Sequence, residues 1–359
     1  MAEIIQKSLF HTIGMAIVHS IFSIFILFSS IWFCFAIWVQ QPFGQIFSHL
    51  IIGFWIIFAL SLFGNYLSKY FFSRKISVFI YIIFFSCTLI WYFNISAKQD
   101  RQWSPEVSRI LNYEKQGNLV TIHNVRNFNW HTETQFDERW ESRKFNLDHI
   151  TGVNIITSYW MGPEIAHTLV SFNFSDQSPL VFSLETRKEK TENFSAIGGF
   201  FRQFELSLIA ADEKDIVYTR TNVRGEQVYF FPIKMAEKER KELFLEYLKK
   251  SDELREKPKW YNTLTSNCTT LVFDMIQAIE PHELPRDYRL LVSGYLPNYL
   301  YDLGALDKKW DMKQWYQHAY LNPRTQEFSH FKYPSSQNFS KVIRLGLPVN
   351  QLPLISLEH

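Results

Sequence analysis

Three long apolar stretches ahead of residue 98 constrain this chain more than any other feature, because they admit only a membrane as solvent. Crossing a bilayer as a helix takes about 20 predominantly apolar residues. Residues 12–38 ("TIGMAIVHSIFSIFILFSSIWFCFAIW") carry no Lys, Arg, Asp or Glu. Residues 46–67 ("IFSHLIIGFWIIFALSLFGNYL") and 76–93 ("ISVFIYIIFFSCTLIWYF") repeat the pattern. A cleaved leader is shorter and stands alone, so three transmembrane helices are expected. The mean hydropathy of −0.11 averages this region with a strongly polar remainder. Charges are scarce before Lys98 and dense after it, which divides the chain into a membrane domain, 1–97, and a polar domain, 98–356. The closing "LEH" resembles an expression-tag scar.

Lys and Arg in short loops set orientation. Lys69, Arg74 and Lys75 lie between the second and third stretches, while "VQQPFGQ" between the first two is uncharged. The basic loop is therefore expected in the cytoplasm, together with Lys7. The polar domain then lies outside, which in a bacterium is the periplasm. Lys98 and Arg101 weigh the other way. The formal net charge of +2 and the scattered basic residues give no nucleic-acid footprint. Neither a Gly-rich phosphate loop, nor zinc-type cysteine pairs, nor HExxH occurs, so no cofactor or metal is expected. His19, inside the first stretch, is either functional or simply paired with a neighbouring helix.

Beyond residue 98 the pattern is strands first, then helices, which is α+β. Residues 99–118 read as a link and a short helix. Alternation and β-branched or aromatic residues predict strands at 119–130, 165–174, 180–187, 204–211, 216–222 ("IVYTRTN") and 227–233, with "SDQSP" as a hairpin loop. A helix follows at 234–254, with apolar positions 243, 244, 247 and 248. Another runs through "TTLVFDMIQAI", capped by Ser266 or Asn267. From about 281 loops and short helices are expected; Tyr and Leu in "SGYLPNYLYDL" suit an apolar rim or the core.

Cys34 and Cys87 fall in the apolar stretches, so Cys268 is the single cysteine of the polar domain. A lone thiol in an oxidising compartment is either reactive or buried and inert. Cys268 opens a helix, where the dipole lowers a thiol pKa and amides can hold an oxyanion. It needs a base. Among His123, His131, His149, His167, His282, His318 and His330, His167 stands out by sitting in an apolar strand, as a base or as a satisfied structural residue. A hairpin turn centred near Gln177 sets residue 169 opposite 185, putting Glu185 on the His167 face, one diagonal step away. The alternative partner for Glu185 is Arg187.

"NCTT" at 267–270, with "IAHTLVSFNF" upstream, resembles the periplasmic-domain family of the bacterial lipoprotein N-acyltransferases, Lnb. The resemblance runs in order through "HNVRNFNW", "LDHITGVNIITSYWMGPEIAHTLVSF", "SLETRKEK", "GGFFRQFEL", "DEKDIVYTRTN", "WYNTLTSNCTT" and "SGYLPNYLYDLGALD", about residues 119–307. It implies a thiol acyltransferase with Cys268 as nucleophile and His167 as base, and Asn267 and Thr269 completing the triplet. The family's Arg-Asn/Asp-Phe element falls on Arg126, Asn127 and Phe128, and its Glu-x-Arg element on Glu185 and Arg187. Oxyanion or substrate positioning is the expected role of Asn267, Thr269, Arg126 and Arg187. The order His on a strand, Cys at a helix start, is also similar to circularly permuted papain-like folds such as lecithin–retinol acyltransferase. In the enzymes that name the family the membrane spans follow the periplasmic domain, whereas here they precede it.

The resulting expectation is an inner-membrane, multi-pass protein with a periplasmic catalytic domain. A phospholipid is the expected acyl donor, and the α-amine of a membrane lipoprotein the acceptor. The alternatives are a cysteine hydrolase (peptidase, amidase or phospholipase) using the same dyad, and a non-enzymatic scaffold.

Overall fold

Uninterrupted Ile, Phe and Leu leave the backbone nothing but its own carbonyls to bond in lipid, and helices form throughout the apolar region. The computed structural model describes residues 2–348 apart from 264, 266, 280–283 and 332–333; Ser266, His282 and the side chain of Lys7 fall outside the described residues. Three helices long and apolar enough to cross a membrane are present: α1 (Ala2–Gln40), α2 (Gln45–Ser68) and α3 (Arg74–Phe93). They contain the three expected spans. Several polar side chains among them bond one another across the helices. Tyr81, fully buried, bonds through its hydroxyl to Ser29 and Ser30. His19 Nδ1 lies 2.6 Å from the Tyr66 hydroxyl. Asn65 accepts from the Phe71 and Phe72 amides, bracing the tight turn in which Lys69 is left-handed.

The chain separates into two units, and the first has an insertion no hydropathy pattern announces. It comprises residues 1–97 together with 197–203. Phe201 packs its ring against Phe35 (5.7 Å between centroids) and Trp32 (6.3 Å). Gln40 donates to the Phe201 and Arg202 carbonyls. Arg202 donates to the carbonyls of Tyr92, Phe93 and Ile95 at the end of α3, where a helix leaves acceptors and negative dipole uncompensated.

The second unit, 98–196 with 204 onward, is built on an eight-stranded sheet. Its strands are β1 (Asn112–Gln116), β2 (Leu119–Arg126), β5 (Trp140–Asn146), β6 (Ile150–Tyr159), β7 (Ala166–Phe174), β8 (Leu180–Arg187), β9 (Glu205–Asp212) and β10 (Gln227–Ile233). β3 (Asn129–Trp130) and β4 (Phe136–Asp137) form a separate small ribbon. The order is β1-β2-β9-β8-β7-β6-β10, with β5 also on β2; pairing is antiparallel except between β2 and β9. On one face, Phe172 and Phe182 pack against Phe244 and Tyr247 of α6 (Glu237–Glu256). On the other, Ser171 and Asn173 reach Glu213 of α5 (Glu213–Tyr218) and Arg344, just past α11 (Ser336–Ile343). The remaining helices are α4 (Ala196–Phe200), α7 (Cys268–Ile279), α8 (Leu296–Asp302), α9 (Met312–Ala319) and α10 (Asn322–Phe328). Mixed α and β elements behind three apolar helices match the α+β expectation.

Two local expectations are corrected. Residues 216–222 alternate like a strand but form the end of α5 and a π-helical turn, Thr219–Val223. Asp212 caps α5 by accepting from the Lys214 amide, and the Thr219 and Thr221 hydroxyls donate to the carbonyls of Asp215 and Val217 four residues back. A local helix satisfies these polar groups where a strand would aim them apart. Residues 99–118 give one 3₁₀ turn, Pro105–Val107, and then β1. Strands β1, β4, β5 and β6 went unannounced. β6 is buried on both faces, and its run "ITGVNIITSY" has no apolar–polar alternation to reveal it.

Candidate active site

The first turn of α7 is assembled by Asn267. Its Oδ1 accepts from the amides of Thr269 and Thr270, both at 2.9 Å, and its Nδ2 donates to the Thr263 carbonyl. This is a helix N-cap, typically worth about 1 kcal/mol. It also occupies both polar atoms of the Asn267 side chain. Thr269 is a strut: its hydroxyl meets that of Thr168 at 3.0 Å, tying α7 to β7. Cys268 is 5% exposed.

His167 is the second residue of β7, opposite Ser158 of β6. The β7–β8 ladder stops at Leu169–Ser183. Past that end the Thr168 amide donates to Cys268 Sγ at 3.4 Å. Where the strands part, His167 Nε2 approaches Ser183 Oγ (2.8 Å) and Glu185 Oε1 (3.2 Å), and Ser183 in turn donates to Glu185 (2.6 Å). With Nε2 on the carboxylate side, Nδ1 is the nitrogen left for the thiol. The register differs by two from the sequence expectation, setting Leu169 opposite Ser183 rather than Glu185. A two-residue slip keeps the face, so Glu185 still meets His167. It does not pair with Arg187.

Behind Glu185 lies a buried chain of charge. Arg220, on the π-helical turn, donates to Glu185 Oε1 at 2.9 Å and to Glu226 Oε2 at 3.2 Å. Glu226 also accepts from Ser158. Thiol, imidazole, carboxylate, guanidinium and carboxylate alternate in sign along this line. Burial pushes the Cys268 thiol up, but the adjacent His167 ring, the Thr168 amide and the Thr269 hydroxyl together hold it below its ordinary value. For His167 burial opposes charge, yet Glu185 outweighs it with help from Cys268 and lifts the ring to about 9. Burial would raise Glu185, and His167 and Arg220 hold it well below the carboxylate range instead. A lowered thiol beside a raised imidazole favours the thiolate–imidazolium pair, the form in which a cysteine attacks carbonyls.

Burial, with Cys268 and Glu185 nearby, pushes the Tyr261 phenol up, so it stays protonated beside the sulfur. Arg220, Glu226, Ser183 and Tyr261 were all missed in the sequence. A polar residue in a stretch otherwise read as strand, Arg220 above all, was the available signal.

The structure places Arg126 and Arg187 among other partners, away from the Cys268–His167 line. Arg126 forms a bidentate pair with Asp215 (2.8 and 3.0 Å) and donates to the Glu106 carbonyl. Asp215 also accepts from the Phe128 amide and the Trp130 indole. That element braces α5, which leads directly into the turn carrying Arg220. Arg187 donates to the carbonyls of Val107 and Ser108 and to Gln99, with its guanidinium 4.3 Å from the Trp103 ring centre. Both guanidinium groups are occupied by structural partners.

Residues 136–294 match the family described as the Lnb N-terminal periplasmic domain. The polar domain is similar to the Lnb family over those residues. No curated protein and no solved structure matches the chain. The Lnb match runs from β4 past α7 and includes His167, Glu185, Arg220, Glu226 and Cys268; Arg126 and the three apolar helices lie ahead of it. Three membrane-length helices and a match to a periplasmic domain family support a membrane protein with a periplasmic domain.

Two outcomes follow from the site's geometry. Iodoacetamide should alkylate Cys268 at neutral pH faster than an ordinary cysteine, losing rate as pH falls through the depressed thiol value. Glu185→Gln removes the chief support of the imidazolium, so the thiol pKa should rise. Neutral-pH alkylation should then slow, by about tenfold for each pH unit the thiol climbs above neutrality. Rate–pH curves of the two proteins, read by mass spectrometry of the Cys268 peptide, check both. The loop ahead of His167 offers a third test. A Cβ on Gly294 would lie 1.9 Å from the Pro163 carbonyl, and the Gly294 amide donates to the Glu164 carbonyl. Gly294→Ala should cost about 1–3 kcal/mol, seen as a lowered thermal midpoint.

Proposed function

We propose that the protein is a cysteine-dependent acyltransferase at the outer face of the bacterial inner membrane. It moves an acyl chain from a phospholipid to the α-amine of a diacylglyceryl-cysteine lipoprotein. The reading rests on one observation above the rest: Cys268 at a helix start, its sulfur beside the His167 strand, in a domain similar to the Lnb family.

In the first half-reaction the Cys268 thiolate attacks the ester carbonyl carbon, with the Cys268 amide facing the oxyanion. The carbon–oxygen bond to glycerol breaks, the leaving oxygen takes the His167 proton, and a lysophospholipid departs. In the second, the lipoprotein amine attacks the thioester carbonyl and His167 accepts its proton. The carbon–sulfur bond breaks, giving an amide and restoring the thiolate–imidazolium pair. Ser183 and Glu185 keep the ring turned, with Nδ1 toward sulfur. Asn267 and Thr269 position the thiol. Arg220 acts through Glu185 and is a positioning residue.

The purified full-length protein, given phospholipid labelled in its acyl chain and a diacylglyceryl lipoprotein, should place label on the lipoprotein's α-nitrogen. Release of labelled fatty acid with no N-acylated product would replace transfer by hydrolysis at the same dyad.

A further inference from the structure

We infer that the edge of the periplasmic domain bearing Trp160, Met161 and Phe194 is a bilayer-contacting surface, seated in the headgroup region of the outer leaflet. This surface gives membrane-resident substrate access to Cys268, and that consequence rests on the function proposed above. Trp160 is 43% exposed, Met161 52% and Phe194 49%. Large side chains gain nothing from water at such exposure, and contiguous apolar patches mark partner or membrane surfaces. The patch is contiguous: the Trp160 and Phe194 rings meet edge to face, 6.3 Å between centroids. Two separate loops thus present one surface.

Its place in the chain says what covers it. Phe194 stands three residues before the 197–203 segment, which belongs with the apolar helices. Three residues span at most about 10 Å. Phe194 is therefore tethered within that reach of a segment whose Phe201 packs on Trp32 and Phe35 and whose Arg202 closes the end of α3. Trp is the side chain most at home at a lipid interface. The Trp160–Met161 loop carries a single carboxylate, Glu164, whose Oε2 lies over Gly162. Two residues past Ile165 the same chain reaches His167, so the surface leads to the catalytic strand.

The test uses full-length protein in nanodiscs of phosphatidylethanolamine and phosphatidylglycerol, with Cys34→Ser, Cys87→Ser and Cys268→Ser. Single spin labels are placed through Met161→Cys, Phe194→Cys and, as a control at an exposed position just ahead of β5, Glu138→Cys. Power saturation compares accessibility to oxygen, which concentrates in lipid, with accessibility to a water-soluble nickel chelate. Labels at 161 and 194 should favour oxygen while the label at 138 favours nickel. Nickel accessibility at 161 and 194 equal to that at 138 would overturn the inference. This variant lacks the nucleophile, so the readout stands or falls independently of acyl transfer.

Discussion

Cys268→Ser should lower acyl transfer by at least about three orders of magnitude, with little change in stability. Serine keeps the volume, the helix cap and the Thr168 contact, so the substitution removes only the thiolate. A hydroxyl at this position is not ionised at neutral pH, and His167, already protonated by Glu185, is a poor base for it. In catalytic groups that act as a unit, loss of the nucleophile alone costs nearly as much as loss of all. Initial rates with labelled phospholipid and lipoprotein, alongside a thermal midpoint, check the prediction. A midpoint that falls together with the rate would assign the loss to folding instead.

Arg220→Met should produce the largest loss of stability of any single change near the site. Arg220 is buried and bridges two carboxylates that are themselves buried. Removing one partner of such a pair costs about 3–5 kcal/mol, because the charge left behind has no water to return to. At roughly 2–4 °C per kcal/mol for a domain of this size, the thermal midpoint should drop on the order of 10 °C. Glu226→Gln in the same protein should restore part of the loss, since one stranded charge is then gone; a double-mutant cycle measures the coupling. A purely steric role for Arg220 predicts no such recovery.

The parts legible in the sequence were those with a strong local cause. An apolar run about 20 residues long has no soluble reading, so the three membrane-length helices were plain. The Asn-Cys-Thr turn announced a helix start because Asn267 is a strong cap. Glu185 was found on the His167 face despite a two-residue register error, since a strand's side chains repeat every two residues. The hidden parts were decided by tertiary partners. Residues 216–222 alternate, but Asp212, Thr219 and Thr221 close their hydrogen bonds locally, and a π-helical turn delivers Arg220 to the site. Arg126 and Arg187 were expected at the site from the family resemblance alone, and the long-range partners that hold them have no signal in their sequence neighbours. The 197–203 segment joins the apolar helices through Phe201 and Arg202, a long-range contact without periodic signature.

The central claim is that Cys268 carries the acyl group. Intact and peptide mass spectrometry after incubation with phospholipid alone, quenched in acid with no acceptor present, tests it directly. The predicted result is one added acyl mass on the Cys268 peptide, removed by hydroxylamine and discharged when a lipoprotein is supplied. Phospholipid turnover with Cys268 unmodified at every time point would contradict the account.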